Sequence, residues 1–393
     1  MLKPEERSEL SPRLKVLHVI TGLGGGGAEQ SLFKLCSNDS QNRHQVISLR
    51  SRGVFAEQLE KVGVPVSVLR TSTINWFWRM IQLRRAIVRD RPDVVHAWMP
   101  HAILLSSLAI FPLSIQKVFW GLRATDYTFR FPNPIMFLLL RFLAKLSHSI
   151  PDVIFAVGQR VKDSHIRIGF AKNKIVVIEN GYSDSDNDSQ CEDHPSSWVA
   201  KPNEDRKPVI GMVARVHAQK DHQNLFDALS IVSKAGLQFS LVLVGAGATS
   251  QNQKIVKKLR RNLLWNSTVL LGPKTNLDSV YRTLDFHILS SAFGEGFPNV
   301  VAESMCFEVP NIVTDVGEAS RIVGSSGWVV PPREPAKLAQ AIIDALSLGP
   351  IEKKERGIRA RERIISTFPL KEMIRTYNHY YSAPVETSNQ RGW

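Results

Sequence analysis

The sequence alternates short runs of β-branched and aliphatic residues with stretches of helical periodicity, in two successive series. The first series includes "KVLHVI", "HQVISL", "PVSVL", "DVVHAW", "KVFWGL", "DVIFAVG" and "KIVVIEN", and the second includes "PVIGMVA", "SLVLVGAG", "TVLLG", "DFHILSS", "VPNIVTD" and "GWVVPP". Apolar runs of this length are typical of parallel strands covered on both faces by helices. The pattern therefore predicts an α/β protein with two Rossmann-like, doubly wound domains in tandem.

The length of the chain fits this organisation. Its 393 residues, 43% of them hydrophobic, exceed what one compact core usually serves. A polar and acidic stretch, "GYSDSDNDSQCEDHPSSWVAKPNEDRK", separates the two series and is typical of a linker or an exposed loop. We expect an N-terminal domain over residues 1–182, a linker over 183–207 and a C-terminal domain over 208–367.

Ligands of doubly wound sheets bind beyond the carboxyl ends of the strands, so the loops after strands are candidate sites. The stretch "SSAFGEGFPNVVAES" follows such a strand and leads into a predicted helix. Its glycines permit a sharp turn, Pro298 fits the first helical position, and the next three backbone amides are expected to be unpaired and to face a phosphate. The candidates for phosphate binding in this turn are Gly296, Asn299, Val300 and Val301.

Two carboxylates belong to the same stretch. Glu303, about one turn into the helix, is predicted to accept hydrogen bonds from the two vicinal hydroxyls of a ribose. Glu295, in the turn, is predicted to bind or polarise a sugar in the same crevice. The alternative, a loop charge and an exposed helix residue, is disfavoured by the neighbouring "GFPNVVAE".

Two cations, Arg215 and Lys220, follow the first strand of the second series in "GMVARVHAQKDHQNL". A guanidinium and an ammonium fixed in one loop suit a diphosphate, the first as a fork and the second as a point charge. The alternative is a pair of solvated loop cations.

Four consecutive glycines follow the first strand of the chain, in "VITGLGGGGAEQSLFKLC". Glycines let backbone amides approach an anion, and a helix N-terminus supplies partial positive charge. The spacing departs from the GxGxxG fingerprint and no acidic residue ends the second strand, which disfavours NAD binding. A tight turn without a ligand remains the alternative.

The cysteines and the N-terminus bear on the compartment. The three cysteines, Cys36, Cys191 and Cys306, form no CxxC or zinc-ligand spacing, which favours a reducing compartment, the cytoplasm. The first twenty residues fit neither a secretory signal nor a membrane anchor, and no run reaches the roughly 18 apolar residues of a transmembrane helix.

Positive charge is concentrated in the first half of the chain. Residues 1–180 hold 25 Lys and Arg against 13 Asp and Glu, whereas residues 181–393 hold 25 against 23. This asymmetry indicates an anionic partner for the first half, either nucleic acid or a membrane surface, unless the basic surface has no partner.

Several of these motifs together resemble the retaining glycosyltransferases of family 4, also called group 1, which share the two-Rossmann B-type (GT-B) fold. The resemblance rests on "GLGGGGAE", "PDVVHAWMPHAILLSSLA", "IGMVARVHAQKDH", "LVLVGAGA" and the long block "SSAFGEGFPNVVAESMCFEVPNIVTDVGEASRIVGSSGWVVPP". It implies two domains that face each other across a cleft, an acceptor-side N-terminal domain and a nucleotide-sugar-binding C-terminal domain. The segment "FPLKEMIRTYNHYY" resembles the family's final helix, so we expect a helix over 368–383 to complete the first domain.

The resemblance also implies roles for the site residues. It assigns the ribose to Glu303, the departing diphosphate to Arg215 and Lys220, and donor-sugar hydroxyls to Glu295. The donor phosphates would be approached from the other domain by Gly25, Gly26 and Gly27. It implies no metal ion and no cofactor, only a nucleotide-sugar donor linked to UDP or GDP. No DxD-type acidic pair follows a strand at a place where a divalent cation would sit, which agrees with this, because the two cations can take the electrostatic role of a metal.

One position departs from the family. Many relatives carry a histidine at the end of the strand that here reads "KVFWGLRATD", where this chain has Gly121, Leu122 and Arg123. His101 or Arg123 is the candidate to contact the acceptor or the sugar instead, whereas we expect His96 to be packed in the core.

Two segments of the first domain combine aromatic, aliphatic and basic residues: "INWFWRMIQLRRAIVRDRP" and "YTFRFPNPIMFLLLRFLAKLSHS". In a helix from Trp76, the residues Met80, Leu83 and Ile87 share one face, which fits an interfacial helix but fits a helix packed on its sheet slightly better. The aromatic cluster at its start favours peripheral docking on the anionic inner face of the cell membrane.

The sequence therefore predicts a metal-independent, hexosyltransferase-like enzyme that transfers a sugar to a saccharide or lipid-linked acceptor in surface polysaccharide biosynthesis. Two other functions remain open. One is a nucleotide-sugar epimerase of the same fold, which needs no acceptor. The other, a basic protein that binds nucleic acid, is disfavoured because no nucleic-acid motif is present.

Overall fold

The computed structural model describes residues 13–69, 76–125, 134–184 and 207–384. These residues divide into two compact units. The first holds the described residues up to Arg123, residues 134–181 and the chain from Lys371, and the second holds Ala124, Thr125 and the described residues of Tyr182–Leu370. The expected linker, residues 183–207, lies outside the described residues except for its two ends.

The first unit is built on a parallel sheet of seven strands in the order β3-β2-β1-β4-β5-β6-β7. The strands are β1 (Lys15–Ile20), β2 (Arg43–Ser48), β3 (Val66–Val68), β4 (Val94–Trp98), β5 (Lys117–Leu122), β6 (Val153–Ala156) and β7 (Ile175–Val177). The central strands β4 and β5 are buried along their whole length because helices cover both faces. This explains why their sequences are almost continuously apolar.

Among the described residues, six helices connect these strands and a seventh comes from the C-terminal part of the chain. They are α1 (Gly27–Asn38), α2 (Gly53–Lys61), α3 (Trp76–Asp90), α4 (Pro100–Ile110), α5 (Pro134–Leu146), α6 (Gln159–Ile168) and α14 (Leu370–Ser382). The last packs on the sheet of the first unit through Tyr381, whose hydroxyl lies 2.8 Å from His96 Nδ1, and through Asn378, which donates to Asp39 Oδ1 at 3.0 Å. Lys117 donates to the carbonyl oxygen of Tyr381.

The second unit repeats the same winding on a parallel sheet of six strands, in the order β10-β9-β8-β11-β12-β13. The strands are β8 (Val209–Val213), β9 (Ser240–Val244), β10 (Thr268–Gly272), β11 (Phe286–Leu289), β12 (Asn311–Thr314) and β13 (Trp328–Val330). The helices are α7 (His222–Lys234), α8 (Gln253–Arg261), α9 (Asp278–Tyr281), α10 (Asn299–Cys306), α11 (Ala319–Val323), α12 (Pro335–Leu346) and α13 (Pro350–Thr367).

The predicted fold class is confirmed: both units are doubly wound α/β domains of the Rossmann type. In each sheet the strand order reverses beside the first strand, between β1 and β4 in one unit and between β8 and β11 in the other. Ligands of open α/β sheets bind outside the carboxyl ends of the strands at such a reversal. None of the helices in the described part of the chain is long and apolar enough to cross a bilayer.

Candidate active site

The loop after β8 holds the two predicted cations. It closes with a 3₁₀ turn over Ala218–Lys220, and Asp221, whose φ is +46°, then caps α7 by accepting a hydrogen bond from the amide of Asn224 at 3.3 Å. Arg215 donates to Gln219 Oε1 at 3.2 Å, and Gln219 in turn donates to the carbonyl of Gly294 at 3.0 Å. The loop after β8 is therefore bonded to the loop after β11, on the two strands where the order reverses.

Lys220 and Glu295 meet in an ion pair. Lys220 Nζ donates to Glu295 Oε1 at 2.6 Å, and Ser291 Oγ donates to the same oxygen at 2.6 Å. The side chains are nearly buried, with 15% of Lys220 and 8% of Glu295 exposed. The sequence predicted Lys220 for the diphosphate and Glu295 for the sugar, and the structure brings the two side chains into direct contact.

The turn that carries Glu295 is held by a third loop, after β12. Glu318 donates its amide to the carbonyl of Gly296 at 2.8 Å. Gly317 lies just before it with φ of +58°, and a Cβ there would come within 2.5 Å of the carbonyl oxygen of Glu295. Only glycine fits this position, because a side chain would displace the turn.

The first turn of α10 differs in two details from the prediction. Pro298 precedes the helix as its N-cap residue, and the helix begins at Asn299. The expectation of an unpaired amide is wrong for Val301, whose N–H donates to the carbonyl of Pro298 at 3.1 Å because the turn is closed locally. The side chain of Asn299 accepts a hydrogen bond from the Tyr182 hydroxyl at 3.2 Å.

Glu303 lies on α10, half-buried, and its Oε2 accepts a hydrogen bond from the Tyr281 hydroxyl at 2.8 Å. Burial of the ring, together with the charge of Glu303, holds the pKa of Tyr281 well above its ordinary value. The phenol therefore stays protonated and acts as the donor.

The glycine-rich loop of the first unit connects β1 to α1. Helix α1 begins at Gly27, with Gly26 as its N-cap. Neither Gly24 nor Gly25 has a positive φ, and a Cβ on either would meet nothing within 4 Å. Among the described residues, neither backbone conformation nor packing therefore requires a glycine at position 25. Close approach of a ligand to the backbone would be a reason for glycine there.

His101 and Arg123 both lie in the first unit. His101 is on the first turn of α4, half-buried, with its ring stacked at 5.7 Å on Trp76, and burial together with Arg50 lowers its pKa. Arg123 donates to Asn180 Oδ1 at 2.9 Å and to the Tyr377 hydroxyl at 3.0 Å. Its role toward acceptor or sugar stays a prediction. His96 is packed in the core, as predicted.

A buried chain of hydrogen bonds links four side chains beside His96. The indole Nε1 of Trp98 donates to His18 Nδ1 at 3.1 Å, His18 Nε2 lies 2.9 Å from His44 Nδ1, and His44 Nε2 lies 2.9 Å from Asp39 Oδ2. Because an indole nitrogen can only donate, His18 Nδ1 must be bare and each imidazole passes its N–H toward Asp39. Burial and the neighbouring His44 keep the pKa of His18 well below its ordinary value, so His18 stays neutral.

The same histidines are candidates for a metal site. Among the described residues, His18, Cys36 and His44 offer ligand atoms within 4.8 Å of one another. A metal on His18 Nε2 would require both ring nitrogens of His18 to be bare, since Nδ1 already accepts from Trp98. Burial also raises the pKa of Cys36 well above its ordinary value, which disfavours the thiolate that a metal needs. These residues therefore fit a hydrogen-bond chain better than a metal.

Sequence reasoning missed Ser291, Gly317 and Tyr281. Ser291 follows β11 directly, so the strand-end rule that identified Glu295 could have found it. A glycine just after a strand, as at Gly317, is a weaker signal of the same kind. No local pattern connects Tyr281 to Glu303, because the two are 22 residues apart.

Comparison with known proteins identifies the family. A family model described as "Glycosyltransferase Family 4" matches residues 25–186, and one described as "Glycosyl transferases group 1" matches residues 207–347. The putative glycosyltransferase EpsF of Bacillus subtilis is 31% identical over 321 residues, which cover 78% of this chain and 80% of EpsF. The capsular polysaccharide biosynthesis glycosyltransferase CapM of Staphylococcus aureus is 25% identical over 265 residues, covering 65% of this chain and 67% of CapM.

Solved structures agree on the fold. The crystal structure of Anabaena Alr3699/HepE in complex with UDP-glucose superposes with a TM-score of 0.80 at 19% identity, covering 94% of this chain and all of that chain. Its two-domain GT-B architecture is shared here. From the matched models and the similarity to EpsF, the chain belongs to the glycosyltransferases of family 4, or group 1.

Proposed function

We propose that the chain is a retaining, hexosyltransferase-like enzyme that transfers a sugar from a UDP- or GDP-linked donor to a saccharide or lipid-linked saccharide in surface polysaccharide biosynthesis. The observation that carries the proposal is the contact of Lys220 and Ser291 with Glu295. Gln219 joins the same two loops, because it accepts a hydrogen bond from Arg215 and donates one to the carbonyl of Gly294. The names of EpsF and CapM and the UDP-glucose bound to HepE support it.

In this proposal the fixed cations stabilise the charge that develops on the leaving diphosphate. Lys220 is held by Glu295 of a neighbouring loop and Arg215 by Gln219 of its own loop, so both cations are in place before the charge forms. Lys220 exchanges its bond to Glu295 for a phosphate oxygen, and Glu295, still bound by Ser291, accepts hydrogen bonds from donor-sugar hydroxyls. Glu303 accepts from the ribose hydroxyls, and the start of α10 and Gly25, Gly26 and Gly27 bind the phosphates.

The transfer itself exchanges two bonds on one face of the sugar. The bond between the anomeric carbon and the diphosphate oxygen breaks, and the acceptor oxygen bonds to the same carbon from the same side. The acceptor proton passes to the leaving diphosphate, so the reaction needs no further base. The two cations take the electrostatic role that a metal ion has in other transferases, and the proposed enzyme is therefore metal-independent.

Product analysis tests this function. Thermal-shift measurements with UDP, GDP, ADP and CMP first identify the nucleotide, because a ligand that binds the folded state raises the melting temperature. The protein is then incubated with a sugar donor linked to that nucleotide, with and without a lipid-linked saccharide, in the presence of EDTA. A new glycosidic bond with the anomeric configuration of the donor is the expected product. Conversion of the donor sugar without acceptor would instead identify an epimerase, and no response to any nucleotide would contradict the site.

We further propose that the first unit docks on the anionic inner face of the cell membrane through an apolar helix layer, consisting of the exposed apolar residues of α3 and α5. On α5, Ile135 and Leu138 are 78% and 71% exposed, and Phe142 is also exposed. Arg141 and Lys145 are exposed on the same helix. An exposed apolar stripe flanked by cations is typical of helices that lie at a lipid interface.

Helix α3 also contributes to this layer. Phe77 and Trp78 are exposed, at 61% and 52%, whereas Leu83 and Ile87 are buried. One face of the body of α3 is thus buried, and the helix adds Phe77 and Trp78 from its start and Val88 from its last turn to the apolar helix layer. The proposed inner-face location of the enzyme depends on this layer.

A further inference from the structure

The bond between Tyr281 and Glu303 joins a residue with no assigned role to a carboxylate proposed to bind ribose. Tyr281 ends the short helix α9 and its side chain is 1% exposed. Its ring packs against Phe307, with centroids 5.6 Å apart, and against His287, at 6.2 Å. A ring held on two sides gives its hydroxyl a fixed position, from which it donates to Glu303 Oε2 at 2.8 Å.

The direction of this hydrogen bond is determined by its two partners. An ionised carboxylate only accepts, so the phenol must donate. The buried phenol also stays protonated across the working pH range of an enzyme, since burial and the charge of Glu303 both raise its pKa well above the ordinary value. The bond therefore persists as long as Glu303 is ionised.

The bond restricts Glu303 in a way that matters for a diol. A glutamate side chain has several rotatable bonds, and its terminal torsion is broad. A vicinal diol presents two hydroxyls in a fixed relation, which a carboxylate binds best when its plane is already set. The Tyr281 bond occupies one of roughly four acceptor positions of the carboxylate and fixes the direction of that oxygen.

We infer that Tyr281 is a positioning residue that orients the Glu303 carboxylate toward the 2′- and 3′-hydroxyls of a ribonucleoside diphosphate. The inference rests on the proposed function, in which Glu303 binds the ribose. It adds that a buried phenol from a different helix, with no contribution to the charge of the site, sets how strongly the ribose hydroxyls are recognised.

The test measures nucleotide affinity by calorimetry with two probes, UDP and its 2′,3′-dideoxy analogue, which lacks both hydroxyls. The variants are Y281F, E303Q and the double variant Y281F/E303Q. Y281F is expected to weaken UDP about tenfold, which corresponds to about 1.4 kcal/mol, and to leave the dideoxy analogue unchanged. The double variant is expected to bind UDP no more weakly than E303Q alone, because Tyr281 acts through Glu303.

A matched control is Y381F in the first unit. Tyr381 is a buried tyrosine whose hydroxyl also makes a side-chain hydrogen bond, with His96 Nδ1 at 2.8 Å. The Y381F variant should lose about as much stability as Y281F and should bind UDP with the affinity of the wild type. This separates a positioning effect from general loosening of the fold.

Three results would overturn the inference. If Y281F lost equal affinity for UDP and for the dideoxy analogue, the effect on the site would be general. If the affinity losses of Y281F and E303Q added in full in the double variant, Tyr281 would act independently of Glu303. If E303Q itself bound UDP as tightly as the wild type, the ribose role of Glu303 in the proposed function would fail first, and the inference with it.

Discussion

The side chains of Lys220 and Glu295 share a nearly buried ion pair of 2.6 Å, made by residues 75 positions apart. Removing one member of such a pair leaves the other charge without a partner in a poorly solvated place, and this is costly. The pair therefore links the stability of the second unit to the same two groups that we propose for catalysis.

This link predicts a stability defect without ligand. Lys220→Ala should lower the unfolding free energy by about 3 kcal/mol, because Glu295 keeps Ser291 but loses its counter-charge. The double variant Lys220→Ala/Glu295→Ala should regain part of this loss. Chemical denaturation measures both, with Arg375→Ala, which breaks an exposed pair with Glu372, as the near-neutral control. A double variant less stable than Lys220→Ala would contradict the account.

The cations should matter for turnover as well. Arg215→Ala and Lys220→Ala are each expected to lower kcat by about 10²- to 10³-fold, comparable to the loss of one oxyanion donor. Release of nucleoside diphosphate from the donor measures this, with the exposed Lys234→Ala on α7 as the control. Unchanged kinetics in both site variants would remove the diphosphate assignment.

Alanine at Gly25 separates folding from binding. A Cβ there meets nothing within 4 Å and φ is not positive, so the melting temperature should stay within about 1 °C of the wild type, as expected for a surface change of a few tenths of a kcal/mol. Nucleotide affinity should nevertheless fall, because the methyl group keeps a phosphate from the backbone. Gly349, which has equally open surroundings, provides the control, and its alanine variant should change neither quantity. Wild-type affinity in Gly25→Ala would contradict the predicted phosphate contact.

The fold was largely predictable from the sequence, whereas the contacts in the site were not. Strands such as β4 and β5 are buried on both faces, so their sequences carry a continuous apolar signal that survives without any alignment. The loop positions of Arg215 and Glu295 followed from the same rule about strand ends. The pairing of Lys220 with Glu295 and the bond from Tyr281 to Glu303 depend on side-chain directions across separate loops and helices, which no periodicity encodes.

Buried neutral histidines predict acid lability. The pKa values of His222 and His287 are lowered to about 4, chiefly by burial, against about 6.5 in an unfolded chain. A histidine with a depressed folded pKa contributes its full stability above pH 6.5 and loses it as the pH falls toward 4. Each of the two histidines should lower the unfolding free energy by about 3 kcal/mol at pH 4 relative to its value above pH 6.5.

Denaturation between pH 7 and pH 4 checks this expectation. His287→Gln should flatten the fall in unfolding free energy, because one fewer proton is taken up on unfolding. An unchanged slope in that variant would show that other groups govern the acid transition.

Flotation with liposomes tests the apolar helix layer. The protein should float with anionic vesicles at low salt and less at high salt, because screening weakens the attraction of Arg141 and Lys145. Ile135→Glu/Leu138→Glu should abolish flotation, while Ile351→Glu, an equally exposed position in the second unit, should not. Failure of the wild type to float at either salt would refute the docking proposal.

The indole of Trp98 has a consequence for proton conduction through the first unit. An N–H that cannot accept a proton in return ends the chain of His18, His44 and Asp39 on one side, so no proton can enter from that end and travel to the carboxylate. The buried His18 next to the indole stays neutral, although histidine is the residue type most often used for acid–base chemistry. A proton released during sugar transfer therefore cannot be relayed to Asp39 through the indole end of this chain.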